Sequence, residues 1–280
     1  QKEISINICG DFYLNTLSAD EKYFTEDILE LFHQSDYNIV NLESPVAKNN
    51  NNKIYKTGPC LSGSPHTFLY LKQIRTNLVT LANNHLMDFG QQGLYDTLTE
   101  CRFNSINHVG AGMSLEEAGM PFILEKDEIK VAILNFAENE WSAADVNKSG
   151  ANPLDIIENV RQIRKAREVC DFVLVIVHGG IEFYHLPTSR MVSQYRFFAE
   201  NGASVIIGHH PHCISGMENY QGVPIFYSLG NFLFTMRSKR ESWYTGIILN
   251  LKLRQNRELF YELIPVSQDK SSFTLTLLEG

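Results

Sequence analysis

Residues 204–212 read "SVIIGHHPH": an apolar run, then Gly208, then His209, His210 and His212 around Pro211. A short apolar run of β-branched residues bounded by Gly and Pro is the pattern of a buried strand. Three imidazoles within four residues at its carboxyl end are either metal ligands or a polar turn rich in histidine. What decides is whether other strands of the same kind end in ligand-type residues.

Working outward, short apolar runs alternate with longer helix-like stretches. Strands are expected at 4–10, 37–43, 76–82, 131–137, 172–178 and 204–208. Helices are expected at 18–34 with Ser18 as N-cap, 64–74 with Ser64 as N-cap, 90–103, 154–169 and 188–201. Past 223 the pattern changes to strands at 223–230, 243–255 and 257–267 with turns between them and no helix. The chain is therefore largely βαβ with an antiparallel end, which fits mixed sheets covered by helices. No repeat or Pro/Gly linker divides the 280 residues, and "AKNNNNK" (47–53) is the strongly polar loop. One domain over 1–280 is the simplest reading.

In sheets of this kind ligands gather at the carboxyl ends of the strands. The first strand ends in Gly10-Asp11, the second in Asn41-Leu42-Glu43, and the third in Asn83-Asn84-His85 with Asp88 just after. The strand at 172–178 ends in His178, with Glu182 close behind. Each has a plain alternative: Asp11 as a turn residue, Glu43 as a solvated acid, the "NNH" run as a polar loop, His178 as a structural histidine. The joint pattern is harder to assign to turns. In an extended segment His210 and His212 face the same way and reach one centre, and five of the nine histidines fall between 178 and 212. A mixed Asp/Glu, Asn and His set without thiolate suits one or two divalent ions, Mn, Fe or Zn. A carboxylate such as Glu43 is able to bridge two metals about 3.5–4 Å apart.

The bulk numbers bound the rest. A net charge of -8 with no Lys/Arg stripe argues against a nucleic-acid partner. No apolar run reaches the ~18 residues of a membrane span. Five scattered cysteines without CxxC spacing predict neither a disulfide framework nor a cysteine zinc site. The chain opens on Gln1 rather than Met, so upstream residues are expected. A signal or anchor there, and with it an envelope-associated or cytoplasmic location, stays open.

The blocks "GD" (10–11), "NLESP" (41–45), "LANNHLMDFG" (81–90), "VHGGIEF" (177–183), "GHHPH" (208–212) and "YSLGNFLF" (227–234) stand in the order found in CapA-type proteins. "GAGMSLEEAGMP" (110–121) is a further shared stretch. Over about 4–235 the chain thus resembles the poly-γ-glutamate capsule biosynthesis family, CapA/PgsA-type, of the calcineurin-like metallophosphatase superfamily. That resemblance implies an α/β fold, a four-layer α/β/β/α sandwich of two mixed sheets flanked by helices, with 236–280 completing the second sheet. It implies Asp11 on a first metal, Glu43 as bridge, Asn84 and His178 on a second metal, His210 on the second and His212 on the first. His85 would then serve as general acid or oxyanion-stabilising group. Asp88 would orient His85 or cap the following helix, and Glu182 would meet substrate or support the ligands. Ser228 and Asn231 would support the site from a neighbouring loop, and His209 would be exposed or stand behind the ligands. Three departures stand out, one being Glu43 in the place usually held by an aspartate. The Asp-x-His pair of metallophosphatases has Tyr13 in its second position, which leaves the first metal one ligand short. Gly179 follows His178 where the family commonly has Trp, which widens the pocket.

Three functions fit. One is a metal-dependent hydrolase or transferase acting on a phosphoester or on a γ-glutamyl amide of an anionic surface polymer. A second is a non-catalytic accessory or assembly component working with other capsule-synthesis proteins. The third is a phosphoesterase unrelated to capsule, since fold and function separate easily.

Overall fold

Along the first strand, β1 (Glu3–Tyr13), the two-residue alternation sorts the side chains. Ile4, Ile6 and Ile8 point to one buried cluster and Cys9 to another. That division organises the protein. The computed structural model describes residues 2–49, 51–138 and 140–278. After β1 come α1 (Glu26–Gln34), β2 (Tyr37–Leu42), α2 (Thr67–Gln73), β3 (Leu78–Thr80), α3 (Gly90–Phe103), β4 (Asn107–Val109) and β5 (Ala111–Gly112). Next are α4 (Leu115–Ala118), β6 (Phe122–Lys126), β7 (Ile129–Ala137), β8 (Gly150–Ala151), α5 (Ile156–Val169), β9 (Phe172–His178), α6 (Ser189–Glu200) and β10 (Val205–His209). The chain closes with β11 (Met217–Tyr220), β12 (Val223–Phe226), β13 (Asn231–Phe234), a 3-10 turn (Glu241–Tyr244), β14 (Thr245–Arg254), β15 (Leu259–Gln268) and β16 (Leu275–Leu277).

One sheet has the order β16-β15-β14-β1-β2-β3-β4, with β13 also paired to β1. The second has the order β11-β12-β10-β9-β7-β6. Between them lies an aliphatic layer of Ile4, Ile6, Ile8, Leu249 and Leu251 from the first sheet against Ile133, Leu174, Ile176, Val205 and Ile207 from the second. On the outer face of the first sheet, Ile28 and Phe32 of α1, Phe68 and Leu71 of α2 and Leu94 of α3 are buried. On the outer face of the second, Ile163 of α5 and Met191, Tyr195 and Phe198 of α6 are buried. Four layers result, α/β/β/α, as the resemblance implies. The strands of 236–278 join the sheet that opens the chain, through the β1–β14 pairing. No helix among the described residues is long and apolar enough to cross a membrane.

Local departures from expectation have identifiable causes. The first helix starts at Glu26 rather than near Ser18. Residues 23–25 are held extended by the C-terminal strand, because Leu275 N–H donates to the Tyr23 carbonyl and Thr25 N–H to the Leu275 carbonyl. The second helix starts at Thr67, and Ser64 closes the turn before it by accepting the His66 N–H on Oγ. Short strands β4, β6, β11 and β16 complete sheet edges that periodicity did not reveal.

Strand β1 changes partners partway. It pairs antiparallel with β14 over Glu3–Ile8, then parallel with β13 from Asp11 onward, with register shifts on both sides of Asp11. Gly10 permits the change: a Cβ there would stand 1.9 Å from the Gly230 carbonyl oxygen. The same oxygen accepts the Asp11 N–H at 3.1 Å, which fixes Asp11 at the strand end.

Candidate metal centre

The carboxyl ends of β1, β2, β9 and β10 and the turn after β3 converge on one point. Asp11, Glu43, His178, His210 and His212 are all buried there. Two overlapping sets have ligand atoms within 4.8 Å of one another: Glu43, His178 and His210 in one, Asp11, Glu43 and His212 in the other. Glu43 is common to both. Its N–H donates to the Phe12 carbonyl at 3.0 Å, so the backbone seats it beside β1.

Hydrogen bonds orient each donor. Asp11 Oδ1 accepts from Asn41 Nδ2 at 2.6 Å, and Asp11 Oδ2 accepts the His210 N–H at 3.2 Å. Asn84 Oδ1 lies 3.0 Å from His178 Nε2, which in turn is 3.2 Å from His210 Nδ1. The Asn83-Asn84-His85 turn is tied down: Asn83 Nδ2 donates to the Leu42 carbonyl, and Trp141 Nε1 donates to the Asn84 carbonyl. His212 has Asn231 Oδ1 at 2.9 Å from its Nδ1 and packs 4.9 Å from both the Phe234 and Trp243 rings. His85 Nδ1 stands 2.6 Å from Asp88 Oδ2, which also accepts the Leu61 N–H at 2.7 Å.

His210 and His212 reach the centre by a different route from the extended spacing expected. Both have positive φ, 97° and 53°, so a tight turn around Pro211 rather than strand alternation aims them. His209, expected to be exposed or behind the ligands, is buried at 1%. It is the last residue of β10, 3.8 Å from Asp11 Oδ1, and neither ring nitrogen has a hydrogen-bond partner among the described residues. Asp88 is the partner of His85, and α3 begins without a side-chain cap. Gly179 leaves no extra room, because Glu138 occupies the space beside it, 2.5 Å from where a Cβ would sit. Asn231 engages His212, whereas Ser228 Oγ accepts the Gly230 N–H and supports only the local turn. Glu182 is exposed at the rim of an adjoining cavity. Tyr13 is buried 5.2 Å from the Phe234 ring.

Sequence reasoning missed Lys56, Glu138, Glu140 and Trp141, which line the mouth of the site with Asn84, His85 and His210. Glu138 directly follows the strand predicted at 131–137 and was open to the same reading as Asp11; Lys56, Glu140 and Trp141 stand in irregular stretches that carry no periodic signal.

The electrostatics show what the cluster lacks. Burial pushes the Glu43 carboxyl up to about 8; His212 opposes the shift and Asp11 adds to it. Burial works against protonated His212, yet the charges of Glu43 and Asp11 hold it well above the usual imidazole range. Burial also raises Asp11, but the hydrogen bond and charge of His212 bring it below the ordinary carboxylate value. His178 is lowered by burial and by His210, and His210 is lowered to about 4 by burial and by His212. His85 is lowered chiefly by burial, against the pull of Asp88. Neither Glu43 oxygen accepts a hydrogen bond among the described residues. The buried Glu43 carboxyl, which accepts no good hydrogen bond and stands beside the lowered imidazoles of His178 and His210, suits a divalent cation, whose charge offsets the desolvation of the acids.

Comparison with known proteins places both fold and family. The fold is that of metallophosphatase-type nucleotidases. The Haemophilus influenzae NAD nucleotidase (NadN) matches with a TM-score of 0.55 at 14% identity, over 100% of this chain and 54% of that one. The Candida albicans 5'-nucleotidase matches at 0.53 and 12%, over 96% and 53%. The chain belongs to the family described as bacterial capsule synthesis protein PGA_cap, whose model matches residues 5–236. It is 33% identical over 239 residues to the PGA biosynthesis protein CapA of Bacillus subtilis (strain 168), covering 84% of this chain. The chain spans 62% of the length of that relative.

Proposed function

We propose that this chain is the metal-dependent hydrolytic unit of an envelope-associated capsule-synthesis protein, acting on an anionic surface polymer such as poly-γ-glutamate or on a phosphorylated intermediate. The observation that carries this reading is Glu43, fully buried, with neither oxygen accepting a hydrogen bond among the described residues, shared by the two ligand sets. Glu43, Asn84, His178 and His210 would hold one cation; Asp11, Glu43 and His212 would hold another. Divalent Mn, Fe or Zn held by these residues would supply Lewis acidity. Asn41 and Asn231 keep Asp11 and His212 oriented. His85, with Nδ1 against Asp88, would take up and pass on a proton at Nε2. Trp141 and the Lys56–Pro59 segment wall the adjoining cavity.

One observation favours the accessory role instead. Tyr13 stands where metallophosphatases carry a histidine, and its ring is committed to the Phe234 contact, so the Asp11 set has three donors rather than four. A weakly held first metal suits polymer binding better than rapid turnover.

The experiment is metal content of protein purified without chelator, for wild type and for the His210→Ala/His212→Ala double variant. A screen of phosphodiester and γ-glutamyl amide probes follows. About one or two equivalents in wild type, lost in the variant, with turnover of either probe class, supports the hydrolase. Bound metal without turnover supports the accessory role. Absence of metal, with no thermal stabilisation by any divalent cation, overturns the hydrolase and leaves the accessory role.

A further inference from the structure

The segment from Ser44 to Gly63 contains no helix or strand among its described residues, yet it is pinned across the site. Ile54 N–H donates to the Asp88 carbonyl at 3.0 Å, Gly63 N–H to the Pro45 carbonyl at 2.8 Å, and Leu61 N–H to Asp88 Oδ2. From the middle of this strap Lys56 runs inward, with only 2% of its side chain exposed. Its ammonium pairs with Asp88 Oδ1 and lies 3.2 Å from His85 Nδ1 and 5.2 Å from the centroid of the Trp141 ring. The same lysine lines a cavity of about 190 Å³ together with Asn84, His85, Trp141, Glu182 and His210.

A buried ammonium–carboxylate pair is a poor way to gain stability, because desolvation offsets most of the attraction. Its geometric consequence is specific. Asp88 has one oxygen on His85 and the Leu61 N–H and the other on Lys56, so neither oxygen is free to swing away. His85 Nδ1 faces the acceptor-only Asp88 carboxylate at 2.6 Å and the donor-only Lys56 ammonium at 3.2 Å; the shorter contact places the hydrogen on Nδ1, and the ammonium is then held by Asp88 Oδ1 rather than by the ring. His85 Nε2 is then the edge left for a substrate, and no described residue engages it by hydrogen bond.

We propose that Lys56 is a positioning residue: its ammonium locks Asp88, and through Asp88 it fixes the His85 ring with Nε2 presented to the cavity beside the metal centre. The inference rests on the hydrolase reading for its effect on rate, but not for its effect on His85. Lys56 touches none of the proposed ligands, so metal content is expected to be unchanged by its substitution.

The test uses the full chain, zinc-loaded, as wild type, Lys56→Met and Lys56→Arg. Long-range 15N–1H correlations of the imidazoles, with His85 assigned through His85→Gln, report which ring nitrogen holds the proton. Turnover is read on bis(p-nitrophenyl) phosphate. The expected result is a single Nδ1-protonated form of His85 in wild type and its loss in Lys56→Met at unchanged zinc content. With it, kcat falls roughly ten- to hundred-fold while KM stays within about twofold, and Lys56→Arg recovers part of both signals. A wild-type His85 spectrum in Lys56→Met overturns the proposal, whether or not the protein turns the probe over. A changed spectrum with no wild-type turnover supports the positioning role and removes only the hydrolase reading. Should Lys56→Met fail to fold, the Lys56→Gln/Asp88→Asn pair leaves no net buried charge, and an unaltered His85 spectrum there overturns the proposal equally.

Discussion

His212 Nε2 and Glu43 Oε1 stand 3.3 Å apart at the centre of the site, while neither Glu43 oxygen accepts a hydrogen bond among the described residues. Burial holds the Glu43 carboxyl up to about 8, and Glu43 with Asp11 outweighs burial to keep His212 protonated. The two groups titrate as a pair, and near pH 7 the cation-free pair still holds protons. A divalent cation ligated by both must displace them. Binding of Zn or Mn at pH 7 is expected to release about one to two protons, read by calorimetry in buffers of different ionisation enthalpy. The sign follows: as pH rises toward about 8, fewer protons compete for Glu43, and apparent affinity increases. Glu43→Gln is expected to reduce both the proton count and the affinity; binding without proton release contradicts the assignment.

Gly10→Ala tests how Asp11 is seated. The added Cβ would meet the Gly230 carbonyl oxygen at 1.9 Å, and backbone atoms cannot turn aside as a flexible side chain does. β1 and β13 must separate, which costs roughly 1–3 kcal/mol or more and shifts Asp11 away from His212. The expected outcome is a lower melting temperature together with loss of bound metal. A variant that melts like wild type and keeps its metal shows that the two strands are free to part.

The strand ends were legible because a buried strand must be apolar along its length, so a polar residue at its terminus stands out. Asp11, Glu43, the Asn83-Asn84-His85 run, His178, His210 and His212 all stand at such ends, and the βαβ alternation implies mixed sheets covered by helices; the choice of Asn84 and the four layers came from the family resemblance. The means by which His210 and His212 converge was not legible, since positive φ at two non-glycine residues is imposed by the surrounding packing rather than by local propensity. Lys56 was invisible for a related reason. Its burial comes from the strap folding onto Asp88, a contact between positions 32 residues apart in a segment with no periodicity. The start of α1 failed because Leu275, near the far end of the chain, holds residues 23–25 extended; helix propensity over 18–25 yields to that pairing.

Asn38→Ala addresses how the outer helices are fixed. The buried Asn38 amide donates to the carbonyls of Phe32 at 2.9 Å and Ile74 at 3.1 Å, and its oxygen accepts from Asn7 Nδ2 at 3.0 Å. It thereby joins α1 and the end of α2 to the first sheet, and Asn7 continues the chain to Asn250 at 2.7 Å. Truncation leaves several buried polar groups unpaired, at a cost on the order of 2–4 kcal/mol. Denaturant unfolding is expected to show that loss at an unchanged m-value, with metal stoichiometry intact. A loss under about 0.5 kcal/mol means that water or a rearranged helix end replaces the amide.

Asn231→Ala separates ligand from support. Asn231 Oδ1 lies 2.9 Å from His212 Nδ1, and its Nδ2 donates to the Trp243 carbonyl at 2.9 Å, so the amide is itself held in one orientation. That arrangement turns His212 Nε2 toward Glu43. Groups in this position typically contribute 10- to 100-fold to metal affinity, by fixing the tautomer and the angle of the ring. The variant is expected to fold, because Phe234 and Trp243 still pack the imidazole in place. It is expected to bind one metal with that weakened affinity and the other as wild type does, since the Asn84, His178 and His210 donors are untouched. Titration against a competing chelator resolves the two sites. Equal weakening of both assigns Asn231 to general packing; weakening of one alone ties His212 to the metal that Asp11 shares.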